Sequence, residues 1–195
     1  MKVWIDGQEH REIAPSAPAL EVLEAVRAEA ARSGLVLTGI QVDGVEMDEN
    51  AFLALSGGMA ARFTLTPVRV LVQETLTEAL DYVSRLKKGL EEIAGHLEGG
   101  ETSAAQGKLS NAMEGLDWLL GVYERCSALA AAPFAEEEEQ AFRDTLLSTL
   151  NRLAELMDGK KYLQMALVLR QELLPSVNTL ALMIGRLSEP RTRTQ

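Results

Sequence analysis

Two histidines, one cysteine and a scatter of carboxylates are the groups in this sequence that could move protons, hold a metal or attack a substrate. Their spacing supports none of these chemistries. A di-iron helical bundle needs a Glu three residues before a His, and the residue three before His96 is Ile93. Glu91, Glu92 and Glu98 fall off the apolar stripe around them, so His96 reads as a surface residue near a helix C-terminus, where a cation is favoured. A Ser-His-Asp triad would have to recruit His10 or His96, and no Gly-x-Ser-x-Gly elbow is present. Cys126 lies on an apolar stripe with Arg125 as its one nearby activator, the pattern of a buried structural thiol. A single cysteine also excludes an intramolecular disulfide framework. Gly57-Gly58 precedes a strand rather than a long helix, and Gly99-Gly100 is followed by Glu101 instead of a Lys-Ser/Thr pair, so neither reads as a phosphate loop. The expectation is no catalytic residue, no cofactor and no metal.

Apolar residues in unexpected places carry more information. Trp118 falls off the helical seam set by Leu116, Leu119 and Tyr123, and with Val122 one turn on it makes an apolar spot where a polar one is expected. Such a spot packs under a neighbouring domain or serves as an aromatic anchor for a partner. The last helical stretch is apolar on more than one face. Leu163, Ala166, Leu173, Val177, Leu180 and Ile184 supply a core stripe, which leaves Met165, Leu169, Leu182 and Met183 as surplus. A helix apolar all round is buried on every side or faces another chain. These residues predict an interface formed by Trp118, Val122, Met165, Leu169, Leu182 and Met183, with a homodimer as the expected assembly. The run Glu136 to Glu139 reads as carboxylates at the positive end of a helix dipole.

The elements that must position these residues follow from periodicity. Val3 to Glu9 and Ile40 to Glu46 share one pattern, a strand entering an Asp-Gly turn, and Asp-Gly between alternating apolar residues signals a hairpin. Between them a helix is capped by Ser16, carries Leu20, Leu23, Val26 and Ala30, and stops at Gly34. A helical turn over 51–55 and a strand over 62–66 complete the first part. From about residue 70 the period becomes helical. Thr75-Leu76-Thr77-Glu78 reads as a capping box, with a helix start one turn earlier as the alternative, and stripes from Leu76 to Leu97, Leu109 to Cys126, and Phe142 through Leu146, Leu150 and Leu153 to Met157 follow. A fourth segment runs from Lys160 to about Leu187, with a kink or break expected at Pro175, whose ring clashes with the Gln171 carbonyl. Pro133 closes the connection before the third helix, and the tail from Pro190 is expected to fray.

The order ββ-α-ββ-helical turn-β resembles the β-grasp, or ubiquitin-like, fold. Four long helices with short connections imply an up-down-up-down bundle. The expected fold class is therefore α+β: a small β-grasp-like domain at 1–67 and an antiparallel four-helix bundle at 68–195.

Charge narrows the partners. The chain of 195 residues is 47% hydrophobic and 25% charged, with a net charge of −10. Five basic and ten acidic residues fall before position 68, fourteen and nineteen after it, so neither half hides a basic module. Nucleic acid and anionic lipid are disfavoured, and no apolar run is long enough for a membrane span. The N-terminal residues do not read as a signal peptide, and one cysteine fits a reducing cytoplasm. The function expected is a non-enzymatic, cytoplasmic protein-binding module, an adaptor or chaperone-like protein. Its acidity and helix count are similar to those of flagellar and secretion chaperones. The alternative is a small-molecule sensor with a pocket between bundle and sheet, for which Arg170 is the candidate polar group.

Overall fold

The computed structural model describes residues 2–10, 13–14, 16–55, 57, 59–130 and 135–188. The protein is mixed α/β, a five-stranded sheet followed by several helices, and divides into two compact units, Met1–Val72 and Gln73–Gln195.

The first unit holds β1 (Lys2–Ile5), β2 (Gln8–Glu9), α1 (Ala19–Arg32), β3 (Leu35–Val42), β4 (Val45–Met47), α2 (Glu49–Leu53) and β5 (Ala60–Pro67). The strand order is β2-β1-β5-β3-β4, with β1 and β5 parallel and the other neighbours antiparallel. Both Asp-Gly pairs form two-residue hairpin loops with positive φ at each central residue: 47° and 81° at Asp6 and Gly7, 50° and 88° at Asp43 and Gly44. That geometry matches the twist of the flanking strands. The aspartates also tie the turns to β5. Asp6 accepts from the Leu65 N–H at 2.9 Å, and Asp43 accepts from the N–H groups of Met59 and Ala60 at 3.1 and 2.9 Å. Alternating strand residues Val3, Ile40, Val42, Ala61 and Phe63 bury against Val22, Leu23, Val26 and Ala30 of α1. Phe52 of α2 meets Phe63 edge to face at 5.4 Å.

Two helix starts differ from the sequence expectation. Ser16 caps nothing: α1 begins after Pro18, whose φ of −61° is already set for a helix entry. Gly34, at φ 65°, does follow the helix end. Gly58 lies outside the described residues.

The second unit is built on α3 (Val68–Glu98), α4 (Thr102–Ala130), α5 (Glu136–Asp158), α6 (Tyr162–Val168), a π-helical turn (Leu169–Leu173) and α7 (Leu174–Ser188). Helix α3 starts directly after β5, so Thr75 sits inside the helix and does not cap it. In α5 the buried stripe ends on Leu156, and Met157 points outward. Polar contacts record which helices are neighbours. Glu92 pairs with Lys108 between α3 and α4 at 2.7 Å, and Tyr123 donates to Glu139 between α4 and α5 at 2.5 Å. Arg186 pairs with Glu138 between α7 and α5 at 3.0 Å, and Arg170 reaches Glu91 of α3 at 2.8 Å. The expectations for Pro133 and for the tail from Pro190 lie outside the described residues.

Pro175 neither breaks nor ends the fourth helix. The chain widens just before it: the Leu174 N–H donates to the Leu169 carbonyl five residues back. A π-turn holds one residue more than an α-turn, so the ladder has already shifted where proline lacks its N–H.

Candidate functional site

Trp118 leads to the most developed surface feature of the second unit. It stands on α4 at 36% exposure, and its ring meets that of Tyr82, from α3, edge to face at 5.4 Å and 74°. The guanidinium of Arg85, one turn along α3, lies 5.1 Å from the Tyr82 ring centre. Such stacking adds roughly 0.5–1 kcal/mol at an exposed site. Gly115, one turn before Trp118, makes the approach possible. A Cβ there would lie 1.8 Å from the Tyr82 hydroxyl oxygen, so only glycine leaves room for the ring. The result is a Trp, a Tyr and an Arg held side by side across two helices.

The other residues expected at an interface fall differently. Leu182 is outward, 67% exposed. Val122, Met165, Leu169 and Met183 are all buried, at 2% exposure or less, and their place at an interface is corrected. The reason is the width of the buried arcs. Helix α4 touches α3 through Trp118, α5 through Tyr123 and also α7, so Val122 lies on the edge of its core face. The fourth helix packs against α3, α4 and α5 together, which takes in Met165 before the π-turn, Leu169 at its start and Met183 after it. One member of the expected core stripe, Leu163, is outward instead at 65% exposure, as is Leu167 at 52%.

Several titratable groups of the second unit pair with one another. Arg170 holds Glu91 and Glu98 on α3, and those hydrogen bonds, Glu91's first, raise its pKa further. His96 pairs with Glu101 at 2.5 Å. Burial pushes the Cys126 thiol up, with Arg125 opposing. Tyr123 is buried and donates to Glu139. Burial first, then that hydrogen bond, pushes its phenol well above the ordinary tyrosine range. Among the described residues no three His, Cys, Asp or Glu side chains converge as a metal site would require, and no helix is long and apolar enough to cross a membrane. A groove of about 780 Å³ runs between α5 and the fourth helix, walled by Ala141, Thr145 and Ser148 on one side and Pro175, Ser176 and Thr179 on the other.

A family model described as a domain of unknown function, DUF8042, matches residues 74–182, more than half of the chain. The chain belongs to the DUF8042 family. No curated protein and no solved structure matches it. The matched span contains Tyr82, Arg85, Gly115 and Trp118, and also Leu163, Leu167 and Leu182, whereas the sheet lies outside it.

Proposed function

We propose that this DUF8042 member is a non-enzymatic protein-binding module, adaptor or chaperone-like, acting in the cytoplasm. In this reading a β-grasp-like domain over 1–67 precedes an antiparallel four-helix bundle over 68–195. The parallel β1–β5 pair at the centre of the sheet, with α1 between the two hairpins, supports the first part. The polar contacts that link α3 to α4, α4 to α5, α5 to α7 and the π-turn to α3 close a cycle of four helices, which supports the second. The free thiol of Cys126 suits a reducing compartment.

The observation that carries the function is the Tyr82–Trp118–Arg85 cluster. Trp, Tyr and Arg are the residue types that dominate binding energy at protein interfaces. Here they share one surface, and the contact of Tyr82 with Gly115 and Trp118 fixes their arrangement before any partner arrives. Preorganisation of that kind lowers the ordering cost of binding. The test is affinity purification of the tagged full chain from its source cells, with mass spectrometry, beside Trp118→Ala and Arg85→Ala variants of unchanged circular dichroism. A protein recovered with the wild type and lost with both variants supports the reading. Recovery that is the same for all three chains overturns it.

A further inference from the structure

Arg125 continues the Trp118 cluster along α4. It lies two turns beyond Trp118 on the same face, and both are exposed. Its guanidinium folds back over Gly121, with Nη1 3.2 Å and Nη2 3.6 Å from where a Cβ would stand. Gly115 and Gly121 are equally spaced either side of Trp118. The first seats the Tyr82 ring and the second the Arg125 guanidinium. Helices α3 and α4 run antiparallel, with Glu92 on Lys108 and Tyr82 on Trp118. Arg85, one turn past Tyr82, therefore lies toward the Gly115 side of Trp118, and Arg125 lies on the Gly121 side. Two guanidiniums bracket the indole.

These two cations differ from the other arginines of the second unit. Among the described residues, Arg143, Arg152, Arg170 and Arg186 each pair with a glutamate, whereas Arg85 and Arg125 pair with none. In a chain with 29 acidic and 19 basic residues, a carboxylate without a cation is expected and a guanidinium without a carboxylate is not. Glu78 and Glu114, one turn before Tyr82 and Trp118, are exposed, and neither forms an ion pair with either arginine. One guanidinium rests on a ring and the other on bare backbone, so their N–H forks remain for an acceptor from outside. Taking the cluster as the binding site proposed above, we propose that its occupant is an acidic segment of a partner protein, with an apolar side chain on Trp118 and a carboxylate on each side of it, held by Arg85 and Arg125. Arginine meets a carboxylate through two parallel hydrogen bonds, which suits a fork already in place. A basic segment would set its cations against these two, and a purely apolar one would bury them unpaired. The chain's charge of −10 opposes an acidic partner mainly at long range, and physiological salt screens that repulsion beyond ~8 Å.

Selection from a phage-displayed library of random peptides on the immobilised full chain tests it. The wild type should enrich peptides with Asp or Glu on both sides of an apolar residue, and Trp118→Ala should enrich none of them. Arg85→Glu combined with Arg125→Glu should shift the enriched charge to Lys and Arg. All three positions are exposed, so far-ultraviolet circular dichroism should be unchanged. An enriched peptide, followed by fluorescence anisotropy, should bind Arg85→Ala and Arg125→Ala each about tenfold more weakly than wild type. Its affinity for the wild type should also fall as sodium chloride rises. Trp118-dependent peptides without acidic residues, or with affinities that ignore both arginines, overturn the acidic partner and leave the cluster a binding site. A charge-reversed chain that still enriches acidic peptides overturns it in the same way. A selection that yields no Trp118-dependent peptide overturns both the acidic partner and the binding site.

Discussion

At Gly115 a missing side chain sets the geometry of the candidate site. Alanine is the better helix former by about 1 kcal/mol in a helix interior. Gly115→Ala would therefore stabilise α4 if nothing stood in the way, but its Cβ displaces the Tyr82 hydroxyl. The ring must swing off Trp118 and away from Arg85, losing contacts worth roughly 1–2 kcal/mol together. In the wild type the two effects nearly cancel, whereas in a Tyr82→Ala background the same substitution should gain the full ~1 kcal/mol. Urea unfolding of the four chains of this cycle measures the coupling, and equal effects in both backgrounds would mean that Tyr82 does not occupy the Gly115 notch. Tyr123 gives a second prediction, in pH. Its raised pKa means that the folded state favours the neutral phenol. The stabilisation is complete below the unfolded-state value of ~10 and is lost as pH climbs toward the higher folded value. Unfolding midpoints should fall above pH ~10 in the wild type and less steeply in Tyr123→Phe. Parallel curves for the two would remove the phenol as the cause. Of these residues the sequence makes only Trp118 conspicuous. Tyr82 and Gly115 are neighbours only across two helices, and no spacing along one helix reports a void on another.

Among the elements, the fourth helix departs furthest from its periodicity. Two candidate stripes compete in its sequence, one through Leu163, Ala166 and Leu173 and one through Met165, Leu169 and Met183. A helix with a strict 3.6-residue period exposes one of them. Packing against three neighbours broadens the buried arc, and the π-turn re-phases the half that follows it, so members of both stripes are buried and Leu163 is released to the surface. The π-turn and Pro175 are then parts of one device. Deleting Gln171 should return the turn to a regular α-helix with both buried faces kept, but it sets the proline ring against the carbonyl four residues back, a cost of about 3 kcal/mol. In a Pro175→Ala chain the same deletion should cost far less. Equal destabilisation in both chains, by urea unfolding, would uncouple the two features. The sheet was far more legible than this helix. Asp-Gly demands positive φ at both residues, a local requirement that names the turn type without reference to the rest of the chain. Caps were less so: Ser16 and Thr75 have the right side chains, but Pro18 sets the start of α1 and β5 feeds α3 without a break.

On the scale of the whole molecule, each unit has a core of its own. The cluster from Val3 to Leu65 includes no residue beyond the sheet unit, and the stripes of α3 to α7 are long enough to bury one another. A fragment of residues 68–195, which keeps α3 entire, should therefore be helical by circular dichroism and unfold cooperatively in urea. An unfolded fragment would make the sheet part of the helical core.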